Sequence, residues 1–177
     1  MSRIRITGGE WRSRSIQVVD APGLRPTPDR VRETLFNWLG QDLRGLSCLD
    51  LFAGSGILGF EAASRGAERV DMVERSRAAF KALQKHAEIF ACSRIELFCA
   101  DALNFAPPSG RRYDLVFLDP PYGREMLMQI ESRLPHWLTP TARIYAEAEA
   151  PLQRLGSWSV VKQGRAGQVF YHLLEQA

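Results

Sequence analysis

The chain has 177 residues, enough for one domain with a full core. Its 45% hydrophobic and 24% charged residues are ordinary for a globular protein. No apolar run approaches the roughly 20 residues that span a bilayer, and the start Met1-Ser2-Arg3-Ile4-Arg5 lacks a signal-peptide apolar core.

Net charge is +3 but uneven. Residues 1–32 carry seven arginines (Arg3, Arg5, Arg12, Arg14, Arg25, Arg30, Arg32) against Glu10, Asp20 and Asp29, a local +4, and the rest of the chain sums to −1. A basic end on a near-neutral body predicts a phosphate-contacting surface. Cys48, Cys92 and Cys99 are odd in number, lie in apolar contexts and lack metal-ligand spacing. They read as reduced core residues of a cytosolic protein.

In chain order, residues 3–7 and 15–19 alternate as short strands around Gly8-Gly9, which predicts a hairpin. A linker with Pro22 and Gly23 follows. Thr27-Pro28 reads as a helix start, with Thr27 as N-cap and Val31, Leu35 and Trp38 on one face. Strand–helix alternation comes next. Strands are predicted at 47–52, 70–73, 95–99, 113–118 and 142–148. Helices are predicted at 57–64 and from Ser76 onward, with Phe80, Leu83, Ala87 and Phe90 on one face, and a short helical turn at 102–105. Another helix carries Leu127, Ile130, Leu134 and Trp137, with Pro135 breaking it, and residues 157–161 and 168–174 form a closing pair. Repeated βα units imply a mostly parallel, doubly wound α/β sheet, Rossmann-like, with an antiparallel C-terminal edge hairpin. Residues 1–24 read as a basic β-hairpin extension and residues 25–177 as the main domain.

Ligands of such sheets sit at the carboxyl ends of the strands. Four strand ends carry acids here. The first is Asp50-Leu51-Phe52-Ala53-Gly54-Ser55-Gly56, completed by Gly59 to G-x-G-x-x-G, with Glu74 twenty residues after Gly54. That spacing also fits a nicotinamide dehydrogenase. Asp50, however, suits a cationic amine rather than a pyrophosphate, and the chain is short for an added catalytic domain. Glu74, the second, can accept ribose hydroxyls. Asp101, the third, either accepts from an adenine amine or caps the next turn. The fourth is Asp119-Pro120-Pro121-Tyr122, a carboxylate, a rigid turn with free carbonyls and a stacking face. That set suits a planar base with an exocyclic amine.

This order of acids resembles the class I S-adenosylmethionine-dependent methyltransferases, in the branch that modifies exocyclic amines. Residues 6–14, with Gly8-Gly9-Glu10-Trp11-Arg12, and residues 25–37, with Arg25-Pro26-Thr27, narrow it. With 50–59 and 119–122 they resemble the bacterial 16S ribosomal RNA guanine-N2 methyltransferases of the RsmD type over nearly the whole chain. The resemblance implies that Asp50, Ala53, Gly54 and Gly56 bind the methionine end of S-adenosylmethionine, Glu74 its ribose, and Asp101 and Ala102 its adenine. Thr27 lies beside the cofactor, and Asp119, Pro120 and Tyr122 act on the target amine. Arg3, Arg5, Arg12, Arg14 and Arg25 would contact RNA. It further implies no metal, a 16S rRNA substrate within the assembled or assembling small subunit, a cytoplasmic location and no membrane; for this size, a monomer is expected. Two alternatives remain at this level: an adenine-N6 DNA methyltransferase, which normally carries a target-recognition insertion not visible here, and a non-catalytic RNA-binding assembly factor on the same fold.

Overall fold

Apolar runs bounded by turn residues become strands, and the amphipathic segments between them become the helices that cover the sheet. In a computed structural model, residues 2–19, 26–121 and 123–177 are described. Strands β1 (Ser2–Arg5) and β2 (Ser15–Val18) form an antiparallel hairpin. The remaining strands are β3 (Ser47–Asp50), β4 (Arg69–Glu74), β5 (Ile95–Cys99), β6 (Tyr113–Leu118), β7 (Leu138–Ala148), β8 (Arg154–Leu155), β9 (Trp158–Ala166) and β10 (Val169–Gln176). They build one sheet in the order β5-β4-β3-β6-β7-β10-β9-β8. The first five are parallel, and β10, β9 and β8 are antiparallel to their neighbours. This is the doubly wound, mostly parallel sheet with an antiparallel edge that the alternation predicts.

The helices are α1 (Asp29–Leu39), α2 (Ile57–Ser64), α3 (Arg77–Phe90), α4 (Gly123–Ile130) and α5 (Leu134–Trp137). One face of the sheet packs against α1, α2, α3 and the hairpin, through residues such as Leu35, Phe36, Phe60 and Leu83. The other face packs against α4, α5 and the turn at Phe105. Chain direction sets the crevice. From β3 the chain moves outward to β4 and β5, then crosses to β6 on the other side of β3. The carboxyl ends of β3 and β6 therefore flank the switch point, where the connections diverge and leave room for a ligand.

The hairpin is docked firmly. Trp11 stacks on Phe90 of α3 with ring centroids 4.4 Å apart, and the Gln17 N–H donates to His86 Nε2 at 3.0 Å. Helix α2 is buried on every side between sheet and hairpin, which brings Glu61 fully inside. Its Oε1 accepts from the Thr7 N–H (2.6 Å) and hydroxyl (2.8 Å), and its Oε2 from Arg65 Nε (3.2 Å). Arg32, also fully buried, brings its Nε to 3.6 Å from Glu61 and donates to the carbonyls of Thr27 and Arg5, each at 2.6 Å.

Several local expectations are corrected. Thr27 does not cap α1: Pro28 holds the N-cap position with no side-chain bond, and the Thr27 hydroxyl turns to Glu147 instead. The helix expected through 137 breaks earlier than Pro135, at a 3-10 turn over Glu131–Arg133, and Pro135 sits in the first turn of α5, where its missing N–H costs nothing. Residues 102–104 are a turn without helix. The buried face of α3 centres on Ala79, Leu83, His86 and Phe90, leaving Phe80 and Ala87 half-buried. Cys48 is buried, but Cys99 is exposed at the end of the edge strand β5.

Removing one partner of a buried ion network strands the others without water. Glu61→Ala is expected to destabilise the fold by about 3–5 kcal/mol, about 10–15 °C in Tm for a chain of this size. Asp42→Ala, which breaks an exposed pair with Arg44, is expected to leave Tm nearly unchanged. Calorimetry of the two variants beside the parent protein checks both.

Candidate active site

A cavity of about 1040 Å³ opens at the switch point, lined by residues from the ends of β3, β4, β6 and β7 and from the segment before α1. Its first half is built on the β3–α2 turn. Gly56 adopts φ +82° as N-cap of α2, and a Cβ there would meet Leu83 and Phe60 at under 3 Å. Gly59 lets α2 pass against Met72 of β4, where a Cβ would lie 2.6 Å from the Met72 methyl. The turn is pinned to β4: the Ala53 N–H donates to the Val73 carbonyl (2.9 Å) and the Gly54 N–H to Glu74 Oε1 (2.8 Å). Ser76 N–H donates to Glu74 Oε2 at 2.7 Å. Each Glu74 oxygen keeps a further lone pair, on a side chain that lines the cavity.

Asp50 is 2% exposed, and its Oδ2 accepts from the Gly59 N–H at 3.1 Å. Burial drives its carboxyl up to about 7, the Gly59 N–H opposing and the Glu74 charge adding to the rise. Asp101 caps a turn where a short helix is expected, accepting from the Leu103 N–H at 3.0 Å, with the Arg75 guanidinium 4.0 Å away. It lines the cavity as well, with Ala102 beside it.

The second half is built on β6 and β7. Leu118 pairs with Ala146 across these parallel strands, so Asp119 and Glu147, each one residue further on, stand side by side. Both line the cavity, with Pro120 and Pro121 next to them. The Pro120 carbonyl already takes a long bond from the Gly123 N–H (3.3 Å), which leaves it a second lone pair. Glu147 Oε2 accepts from the Tyr145 hydroxyl at 2.9 Å and the Thr27 hydroxyl at 3.1 Å. Burial, then the like charges of Glu147 and Asp50, hold the Asp119 carboxyl well above the usual carboxylate range. Burial also raises Glu147, against the hydrogen bonds from Tyr145, Thr27 and Asp119 that lower it. With no ligand present, two carboxylates side by side, Asp119 half-buried and Glu147 buried, oppose each other's ionisation and favour sharing a proton.

The structure thus brings Asp50, Ala53, Gly54, Glu74, Asp101, Ala102, Asp119, Pro120 and Thr27 to one cavity, with Gly56 shaping the turn behind it. Thr27 stands on the β6–β7 side, bonded to Glu147. Arg3, Arg5, Arg12 and Arg14 are exposed on the hairpin, Arg14 lying 4.5 Å over the Phe90 ring. Tyr122 and Arg25 lie outside the described residues. Sequence reasoning missed Glu147. The signal was present: it is an acid near the carboxyl end of a predicted strand, the same pattern that singles out Asp50, Glu74, Asp101 and Asp119. Among the described residues, no group of three or more His, Cys, Asp or Glu side chains is arranged to hold a metal ion, and no helix is long and apolar enough to cross a membrane.

A parallel sheet of this order, with a glycine turn and acids at its switch point, is a Rossmann-like methyltransferase fold. The solved structure of a putative methyltransferase from Escherichia coli superposes with a TM-score of 0.88 at 41% identity, covering 99% of this chain and 98% of that one. A more distant solved structure shares the fold: an RNA methyltransferase from Salinibacter ruber in complex with S-adenosyl-L-homocysteine, with a TM-score of 0.69 at 17% identity, covering 86% of this chain and 94% of that one. Residues 4–175 match the family model described as Conserved hypothetical protein 95. The chain is also 41% identical over 179 residues to ribosomal RNA small subunit methyltransferase D of Escherichia coli K12, covering 98% of this chain and 90% of that protein. The chain belongs to the ribosomal RNA small subunit methyltransferase D family.

A carboxyl whose folded-state pKa is raised favours the fold only while protonated. Asp50's contribution is complete below pH 4 and is lost as pH rises through about 7. Asp50→Asn is therefore expected to leave ligand-free stability unchanged at pH 4 and to raise it at pH 8, by up to about 4 kcal/mol. Denaturant melts at the two pH values check the sign.

Proposed function

We propose that this protein transfers a methyl group from S-adenosylmethionine to the exocyclic N2 of a guanine in 16S ribosomal RNA, acting as a cytoplasmic monomer on the assembled or assembling small subunit. The observation that carries the reading is the juxtaposition in one cavity of an amine-suited half, Asp50 with the Gly54–Gly56 turn, and a base-suited half, Asp119 with Pro120. The relationship to small-subunit rRNA methyltransferases supports RNA as the substrate. The resemblance of Gly8-Gly9-x-Trp11-Arg12 and Arg25-Pro26-Thr27 to that family supports guanine N2. Residues 1–24 would serve as a basic extension and residues 25–177 as the catalytic domain.

The residues fit the cosubstrate chemically. Asp50, costly to ionise when buried alone, is relieved by a cationic amine. Glu74 offers free lone pairs for two ribose hydroxyls, and Asp101 with Ala102 borders the space for adenine. S-adenosylmethionine supplies a methyl on a sulfonium, a good leaving group, so the protein's task is positioning. An aryl amine is a weak nucleophile because its lone pair is delocalised into the ring. Hydrogen bonds from the amine to the Asp119 carboxylate and the Pro120 carbonyl favour a pyramidal nitrogen and stabilise the developing cation. The methylated ammonium is strongly acidic and gives its proton to Asp119 or water. Tyr122 would stack on the flipped base, and the exposed arginines of the hairpin, with Arg25, would hold phosphates without reading sequence.

Labelled-methyl transfer to small-subunit particles tests the reaction, and mass mapping of the rRNA locates the nucleotide. Asp119→Ala is expected to cut transfer by about 10³-fold while leaving S-adenosylmethionine affinity within a few-fold; an unchanged rate would refute Asp119's role. Reversing Arg12 and Arg14 to Glu is expected to weaken RNA binding and flatten its log–log salt dependence by about 1–2 in slope. Unaltered RNA affinity in a salt titration would move the RNA surface elsewhere.

A further inference from the structure

We propose that Glu147 reads the Watson–Crick edge of the target base, accepting its N1–H while Asp119 takes the exocyclic amine, and so selects guanine over adenine. The inference rests on the guanine-N2 reading above. The reaction itself asks for one carboxylate at the amine. The fold supplies two, side by side at the ends of adjacent parallel strands and both lining the cavity.

The second carboxylate is expensive to keep. Glu147 is 8% exposed and shares its surroundings with Asp119, while Asp50 stands close to Asp119. It is also aimed with care: the hydroxyls of Tyr145 and Thr27 both donate to Oε2 and fix the side chain. A tether for those two hydroxyls needs no charge, and an amide would accept from them equally well. A charge beside Asp119 calls for further donors, and a ligand with two adjacent N–H groups would supply them.

Guanine has the complementary edge. Its N1–H and N2–H groups are adjacent donors pointing the same way, so two neighbouring carboxylates can accept from both. Adenine presents an N6 amine beside an N1 lone pair. Set in the same place, that lone pair would face the Glu147 oxygens, a repulsive and unsatisfied contact. The pair of acids is thus matched to a donor–donor edge and mismatched to a donor–acceptor one.

The probe is 2-aminopurine, which keeps the 2-amino group and carries a lone pair at N1. Small-subunit particles are assembled on ligated rRNA bearing guanine or 2-aminopurine at the target position, and kcat/KM is measured for each. The parent protein is expected to prefer guanine by about 10- to 100-fold. Glu147→Gln, whose amide can donate to a lone pair, is expected to shrink that preference at least tenfold with S-adenosylmethionine affinity unchanged. Equal use of both bases by the parent protein would overturn the proposal without recourse to any variant. So would an unmoved ratio in a folded Glu147→Gln protein that still makes N2-methylguanosine. A guanine product methylated elsewhere would instead overturn the underlying functional reading, and this proposal with it.

Discussion

Glu61 is the constraint from which the N-terminal half of the molecule is hung. A carboxylate at the centre of a wholly buried helix is tolerable only when its oxygens are saturated. Here Thr7 supplies two donors, Arg65 a third and Arg32 a nearby charge. These partners come from the hairpin, from α1 and from the C-cap of α2, so satisfying one acid fixes three elements relative to one another. Apolar contacts such as Trp11 on Phe90 add area, but they do not select a register as a set of directed bonds does. Arg32 extends the arrangement by holding the Arg5 and Thr27 carbonyls with its two terminal nitrogens.

The site follows the opposite rule. Asp50, Asp119 and Glu147 are gathered at the switch point close to one another, and burial raises all three. Glu61 is paired with arginines, whereas among the described residues these three acids stand beside like charges. Unmatched buried charge detracts from stability and is kept where a ligand completes it. Under the proposed function the two halves of the cavity would take different partners: a cation next to Asp50, and neutral hydrogen-bond donors next to Asp119 and Glu147.

Much of this was legible in the sequence. Strand–helix alternation gives the doubly wound sheet, and the rule that ligands sit at strand ends picks out Asp50, Glu74, Asp101 and Asp119, all of which line the cavity. What escaped notice depends on partners distant in the chain. Thr27 looks like an N-cap because Pro28 follows it, yet its hydroxyl bonds Glu147, 120 residues away. Arg32 reads as one of seven arginines at an end expected to contact phosphates, but is fully buried. Cys99 reads as a core residue because its neighbours are apolar, and it lies exposed because β5 is an edge strand. Periodicity reports which face of an element is apolar; it does not report which strand lies at an edge or which polar group finds a partner across the fold.

These bonds also run continuously between the two ends of the proposed function. The hairpin carries the arginines that would hold RNA, and β7 carries the acid that would read the base. Between them, Arg32 joins the Arg5 carbonyl to the Thr27 carbonyl, and the Thr27 hydroxyl joins Glu147. Methyl transfer to a weak nucleophile tolerates little misplacement of the amine, whereas phosphate contacts on a mobile arm would leave the base poorly placed. A hairpin tied through one buried guanidinium to the residue that orients Glu147 meets that requirement. It explains why the extension is built into the core by directed polar bonds rather than attached by apolar packing alone.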